Sequence, residues 1–229
     1  MTPSRAPADP PLLSWIPVEV GPEEAKRPLL VLLHGAEDEP SDVLAWAGAL
    51  DPEERWRAVA VTAPFGSAPE GRVWFRSSPR GPDPTDVDEA LSRLDATIGH
   101  LCCRSSGSER DVVVVGYSQG GAMALMLAAD AGIGSVLAAV SVCGWLPDVE
   151  RWSVGAVERS GPGPRVLVLN ARADEVVPVD FGDAAVLALG AAGLAVDAIV
   201  TEGGHQPTTE TLATVRDWLP GSGSEDTRT

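Results

Sequence analysis

The sequence predicts an α/β chain: a mostly parallel sheet, seven-stranded or so, with helices on both faces. Three observations predict it. Short strand-like runs alternate with longer helix-like stretches through most of the 229 residues, the pattern of parallel strands joined by crossover helices. Several runs, Leu29 to Leu33 and Val112 to Val115 among them, are apolar without interruption, which suits strands covered on both sides. The run at Val112 also passes straight into Gly116-Tyr117-Ser118-Gln119-Gly120-Gly121 and then into the helix-forming Ala122 to Ala131. That is a strand, a sharp turn and a helix.

In chain order, strands are expected at Trp15 to Val20, Leu29 to Leu33, Ala58 to Thr62, Val112 to Val115, Leu137 to Val142, Val166 to Leu169 and Val196 to Thr201, on their β-branched and leucine content. Helices are expected at Ser41 to Leu50, from Thr85 onward, and at Gln119 to Ala131, Asp180 to Ala192 and Thr208 to Leu219. The second is the clearest. Thr85 is placed to cap it three residues before Asp88, and Val87, Leu91, Leu94, Ile98 and Leu101 recur at steps of four and three, one apolar stripe along a helix. Gly66 to Pro84 has no periodicity and reads as a loop carrying Trp74 and Phe75 among Arg72, Arg76 and Arg80. Residues 1–12 and 220–229 are rich in Pro, Gly, Ser and charge and are expected to be mobile. Residues 13–219 then form a single domain, with no internal repeat and no interdomain linker.

Apolar residues make up 44% of the chain, enough for a substantial core. A formal charge of −16 repels phosphate backbones and anionic headgroups, so no nucleic-acid partner is expected. No apolar stretch approaches the roughly 20 residues of a membrane span. The first 17 residues hold Asp9 and five prolines and lack the basic-then-apolar layout of a secretory signal. The chain is read as cytoplasmic. Three cysteines, two of them adjacent at Cys102-Cys103, give neither a disulfide framework nor a metal-ligand spacing. They read as small buried residues, and no metal or cofactor is expected.

In an open parallel sheet, groups just past the carboxyl ends of the strands share one rim, where ligands bind. His34-Gly35-Ala36, Ser118, Asp174 and His205 each follow a predicted strand. A serine at the tip of a strand–turn–helix is held in strained geometry with its hydroxyl clear of the sheet, and small flanking glycines avoid collision. Its hydroxyl is a poor nucleophile without a base, and the base needs a carboxylate to fix its tautomer. Of the three histidines, His100 sits inside a predicted helix and His34 precedes the serine, whereas His205 follows Gly203-Gly204 just before the last helix. His205 is therefore the base. Asp174 is preferred as the acid over Glu175, Asp180 and Asp148: Asp180 opens or caps a helix, and Asp148 follows a different strand. Acyl transfer also needs donors for an oxyanion, for which the backbone N–H groups of Gln119 and Ala36 are candidates; as backbone groups, they leave their side chains little to do.

Taken together, Leu32-Leu33-His34-Gly35, Arg72-Val73-Trp74-Phe75, Gly116 to Gly121, Gly144-Trp145-Leu146-Pro147, Asp174-Glu175-Val176-Val177-Pro178 and Gly204-His205 resemble, in order, the carboxylesterase/phospholipase branch of the α/β-hydrolases, which includes acyl-protein thioesterases. The likeness runs from about Leu29 to Leu219. It implies an α/β-hydrolase fold and metal-free hydrolysis of carboxylic esters or thioesters through an acyl-serine, with Trp74, Phe75, Trp145 and Leu146 bordering the acyl pocket. The chain departs from the family at Glu37-Asp38-Glu39, where a second glycine usually follows His-Gly, so that an acidic residue flanks the proposed oxyanion hole. It departs again at Arg76, where an acidic residue often follows the aromatic pair.

The chain is too short to hold a large lid domain, so a small or medium acyl ester fits better than emulsified lipid. Arg72, Arg76 and Arg80 read either as attractors of an anionic substrate or as loop charges paired with nearby carboxylates. Two rival functions share the fold: a binding or regulatory module without turnover, and an acyltransferase that delivers the acyl group to an acceptor other than water. A small-molecule ester is the expected partner, and a monomer and a homodimer fit equally well.

Overall fold

The computed structural model describes residues 10–18, 27–67, 70–103, 112–130, 136–153 and 163–221. Most of the two ends expected to be mobile lies outside these residues, as do Glu19, Val20 and Ala131. The described chain runs β1 (Trp15–Pro17), β2 (Leu29–Leu33), α1 (Pro40–Leu44), α2 (Ala47–Leu50) and β3 (Arg57–Val61). Two small hairpins follow, β4 (Phe65–Gly66) with β5 (Arg72–Val73) and β6 (Ser77–Ser78) with β7 (Gly81–Pro82). Then come α3 (Pro84–Cys103), β8 (Val112–Tyr117), α4 (Gln119–Ala129), β9 (Val136–Val142), α5 (Val149–Ser153), β10 (Arg165–Ala171), α6 (Val179–Ala191), β11 (Ala195–Thr201) and α7 (Thr209–Trp218).

Seven strands form the main sheet in the order β1-β3-β2-β8-β9-β10-β11. Only β1 is antiparallel to its neighbour. It lies at the edge, where Pro17 deprives no interior ladder of a donor. The uninterrupted apolar strands are buried on both faces by alternation: Leu29, Val31, Leu33, Val112 and Val114 enter one core, and Leu30, Leu32, Val113 and Val115 the other. The first core is roofed by α3, α4 and α6, the second by α1, α2 and α7.

From β2 the chain steps outward to β3, returns to β8 on the other side of β2, and then proceeds away through β9, β10 and β11. This reversal opens a crevice past the carboxyl ends of β2 and β8. Ala36 and Ser118 stand at that point.

The stripe predicted on α3 is buried, with Val87, Leu91, Leu94, Ile98 and Leu101 all in the first core. Each contributes about 1.5–3 kcal/mol relative to exposure. Its cap differs from expectation. Asp83 Oδ1 accepts from Thr85 N (2.9 Å) and Asp86 N (3.4 Å), and Pro84 occupies the first turn, where its missing N–H costs nothing. The predicted helix from Ser41 to Leu50 is two short ones, and Trp46 at the break meets the Tyr117 ring edge-on at 5.8 Å. Among the described residues no helix is long and apolar enough to cross a membrane.

Candidate active site

Ser118 lies at the sharp turn between β8 and α4 with φ 50° and ψ −115°, a left-handed geometry that costs a non-glycine residue on the order of 1–3 kcal/mol. Its neighbours make that turn sterically feasible. A Cβ on Gly116 would meet Gly120 O at 2.1 Å, and a Cβ on Gly120 would meet Leu33 O at 2.3 Å and His34 O at 2.5 Å. The turn is pinned by Ser118 N donating to Val142 O (2.9 Å) and Ala122 N to Ser118 O (3.0 Å). We expect Gly120→Ala to push α4 off β2, at a cost of about 3 kcal/mol or more, read as a lower midpoint in urea unfolding.

Asp174 follows β10 and His205 follows β11, and the two loops are tied by Ala173 N donating to Gly203 O (2.8 Å). His205 Nδ1 lies 2.8 Å from Asp174 Oδ2, and its Nε2 lies 3.0 Å from Ser118 Oγ. The carboxylate can only accept, so Nδ1 carries the proton and Nε2 is left to accept from the serine hydroxyl. Asp174 Oδ1 accepts from the backbone N–H groups of Val176 and Val177, both at 2.8 Å. Burial alone would raise the Asp174 pKa, but hydrogen bonds from His205, Val177 and Val176 outweigh it and hold the carboxyl below its usual range. The Tyr117 ring covers one side of the imidazole at 5.2 Å.

A cavity of about 530 Å³ opens at Ser118. Ala36 and Gln119 line it beside the serine, and Phe75, Trp145, Val177 and Phe181 supply apolar walls. Phe75 and Trp145 meet edge-to-face with ring centroids 6.0 Å apart.

The phospholipase/carboxylesterase family model matches residues 16–221. The chain belongs to this family. A search of curated protein sequences finds no match. Among solved structures, esterase PE8 is 25% identical with a TM-score of 0.73, over 90% of this chain and 95% of that one. The Bacillus cereus carboxylesterase, at 18% identity and TM-score 0.74, is matched over 90% of this chain and 92% of its own. A Mesorhizobium loti carboxylesterase, at 21% and 0.73, is matched over 93% and 100%. These likenesses show the α/β-hydrolase fold.

Within that carboxylesterase frame, two of the expected pocket residues lie elsewhere. Trp74 is fully buried, its indole N–H donating to His34 O (2.9 Å), and Leu146 is packed in the core at 3% exposure. Each stands beside a residue that does line the cavity, Phe75 or Trp145. The Gln119 side chain, expected to matter little, instead holds the backbone of both aromatics. Its Oε1 accepts from Trp74 N (2.6 Å) and its Nε2 donates to Phe75 O (2.8 Å), clasping the aromatic loop to the start of α4.

His34 is structural. Its Nε2 accepts from Ala63 N (3.1 Å), so the proton is on Nδ1, which donates to Gly35 O (2.7 Å). Burial lowers its pKa and keeps the ring neutral. Glu37, at the cavity rim, has φ 65° and its N–H donates to Arg72 O (2.8 Å). A glycine reaches this backbone region without cost, which gives the family's usual second glycine a physical reason. Asp38 is half-buried, and burial followed by the field of Asp42 raises its pKa.

Arg76 reaches the cavity, but Asp86 takes its Nε (2.7 Å), Nη2 (2.6 Å) and backbone N–H (3.0 Å). Those bonds hold the Asp86 carboxyl below its usual range. Arg76 thus fits the reading of a paired loop charge.

Proposed function

We propose that the chain is a serine esterase that hydrolyses carboxylic esters or thioesters of small to medium acyl chains through an acyl-serine. The observation that carries this reading is the unbroken hydrogen-bond line from Asp174 through His205 to Ser118 at the mouth of an apolar cavity. Ser118 Oγ attacks the carbonyl carbon as its proton passes to His205 Nε2, and Asp174 stabilises the imidazolium through Nδ1–H. The oxyanion develops beside the N–H groups of Ala36 and Gln119, each worth about 3–4 kcal/mol in the transition state. Collapse expels the alcohol or thiol, which takes the proton from Nε2. Water then attacks the acyl carbon by the same steps in reverse order and frees Ser118.

The cavity lies within the roughly 300–1,000 Å³ span typical of small-molecule sites, and Phe75, Trp145 and Phe181 favour an apolar acyl chain. The test is a fluorophosphonate together with a p-nitrophenyl ester series from acetate to palmitate. One label per chain, mapping to Ser118, is expected, with kcat/KM highest among short and medium acyl groups. A folded protein that neither labels nor turns over any of the series would overturn the reading.

A further inference from the structure

Asn170, the last residue but one of β10, is buried and has no part in the chemistry above. Strands β9 and β10 run side by side as far as Val142 and Leu169, and Cys143 N donates to Leu169 O (2.7 Å) as the chain leaves β9 at φ 51°. Beyond that point a side chain continues the tie. Asn170 Nδ2 donates to Gly144 O (3.1 Å). That carbonyl belongs to the planar peptide that leads into Trp145, so the bond fixes the plane from which this cavity-lining residue departs. On its other side the amide carries α6. A Cβ on Gly182 would meet Asn170 Oδ1 at 2.3 Å and its Cγ at 2.8 Å, so the helix rests directly on this group, one residue from Phe181 on the cavity. The amide can face only one way: exchanged, its oxygen would confront Gly144 O, acceptor against acceptor.

We propose that Asn170 is a positioning residue that holds Trp145 and Phe181, two apolar walls of the cavity, in fixed relation and thereby sets the preference for acyl-chain length. This role rests on the acyl-serine reading above. The Gln119 amide does the same for Phe75, so two buried amides hold the three aromatics that line the cavity.

A long acyl chain has to lie against these walls, whereas an acetyl group needs only the Ser118 end of the cavity. The Ser118 turn has supports of its own, Ser118 N on Val142 O and Ala122 N on Ser118 O, neither of which runs through Asn170. Loss of the amide is therefore felt in the binding of long chains and not in the attack on the carbonyl.

The experiment compares Asn170→Leu and Gly182→Ala with the full-length parent in kcat and KM for p-nitrophenyl acetate and p-nitrophenyl octanoate, beside thermal melts. Leucine keeps the size of the side chain and removes the bond. Asn170 Oδ1 has no donor among the described residues, so the exchange trades one unpaired buried acceptor for another, Gly144 O, and the melting temperature is expected to stay near the parent's. KM for the octanoate should rise about tenfold, while kcat and KM for the acetate stay within about twofold. Gly182→Ala drives a methyl group into the same amide from the α6 side. It should raise the octanoate KM over the acetate KM in the same sense, and it decides the matter where the leucine variant does not fold. A folded variant with the parent's ratio of the two KM values, or one that loses acetate and octanoate turnover alike, overturns the proposal. A second arm needs no turnover. 1-Octanol, which has no carbonyl to attack, is titrated calorimetrically into parent and variants, and about tenfold weaker binding to the variants is expected. Equal affinity would refute the role of the amide. Absence of fluorophosphonate labelling in the parent would instead remove the acyl-serine reading while leaving the octanol comparison standing.

Discussion

Ser118→Ala is expected to lower kcat for p-nitrophenyl butyrate by about a millionfold and to abolish fluorophosphonate labelling, with the fold intact. The size follows from the arrangement. His205 Nε2 has the Ser118 hydroxyl at 3.0 Å, so removing that oxygen leaves a base without its nucleophile. What survives is the catalysis that oxyanion donors and binding supply alone, about 10³–10⁴ over water. Alanine is as strained as serine at φ 50°, and the close approach of Gly116, Gly120 and Leu33 that builds the turn is unaltered. The melting temperature should therefore stay within a few degrees, which separates lost chemistry from lost structure. Retention of even one hundredth of the parental rate would place the nucleophile elsewhere.

Most of this candidate site is legible in the sequence because its signals are local. Gly116 to Gly121 marks a turn whose crowding only glycine tolerates, and the strand preceding each candidate site residue is an apolar run too short for a helix. Those runs also contain the two-core architecture, since consecutive residues of Leu29–Leu33 serve opposite faces. The features misread or left open depend mostly on partners that only the folded chain supplies. Trp74 and Phe75 are adjacent aromatics with identical local signals and both rings are buried, yet with their backbone clasped by Gln119, more than 40 residues away, only the second lines the cavity. Arg76 finds Asp86 across a hairpin of two-residue strands too short to have a period. Asp83 displaces Thr85 as cap because Pro84 extends the helix by one residue at its start.

Asp174→Asn is expected to lower kcat by about 10⁴ while leaving the Ser118 turn in place. The argument is one of donors and acceptors. Val176 N–H and Val177 N–H both point at one oxygen of residue 174, and in asparagine only the carbonyl oxygen can receive them. The amide NH₂ then faces His205 Nδ1. That nitrogen must accept, so the ring proton moves to Nε2, which confronts the serine hydroxyl and no longer takes its proton. Fluorophosphonate should still label the variant to one equivalent, only far more slowly, which distinguishes a mis-set base from a missing nucleophile. Stability against pH supplies an independent check. The Asp174 carboxyl lies below its unfolded value in the folded protein, so its contribution is complete above an unfolded carboxyl pKa of about 4 and is lost as pH falls through the folded value. Asparagine has no such proton to bind, and the difference in unfolding free energy between parent and variant should shrink as the solution is acidified. A constant difference down to low pH would mean that the carboxylate is not held by the bonds that orient His205.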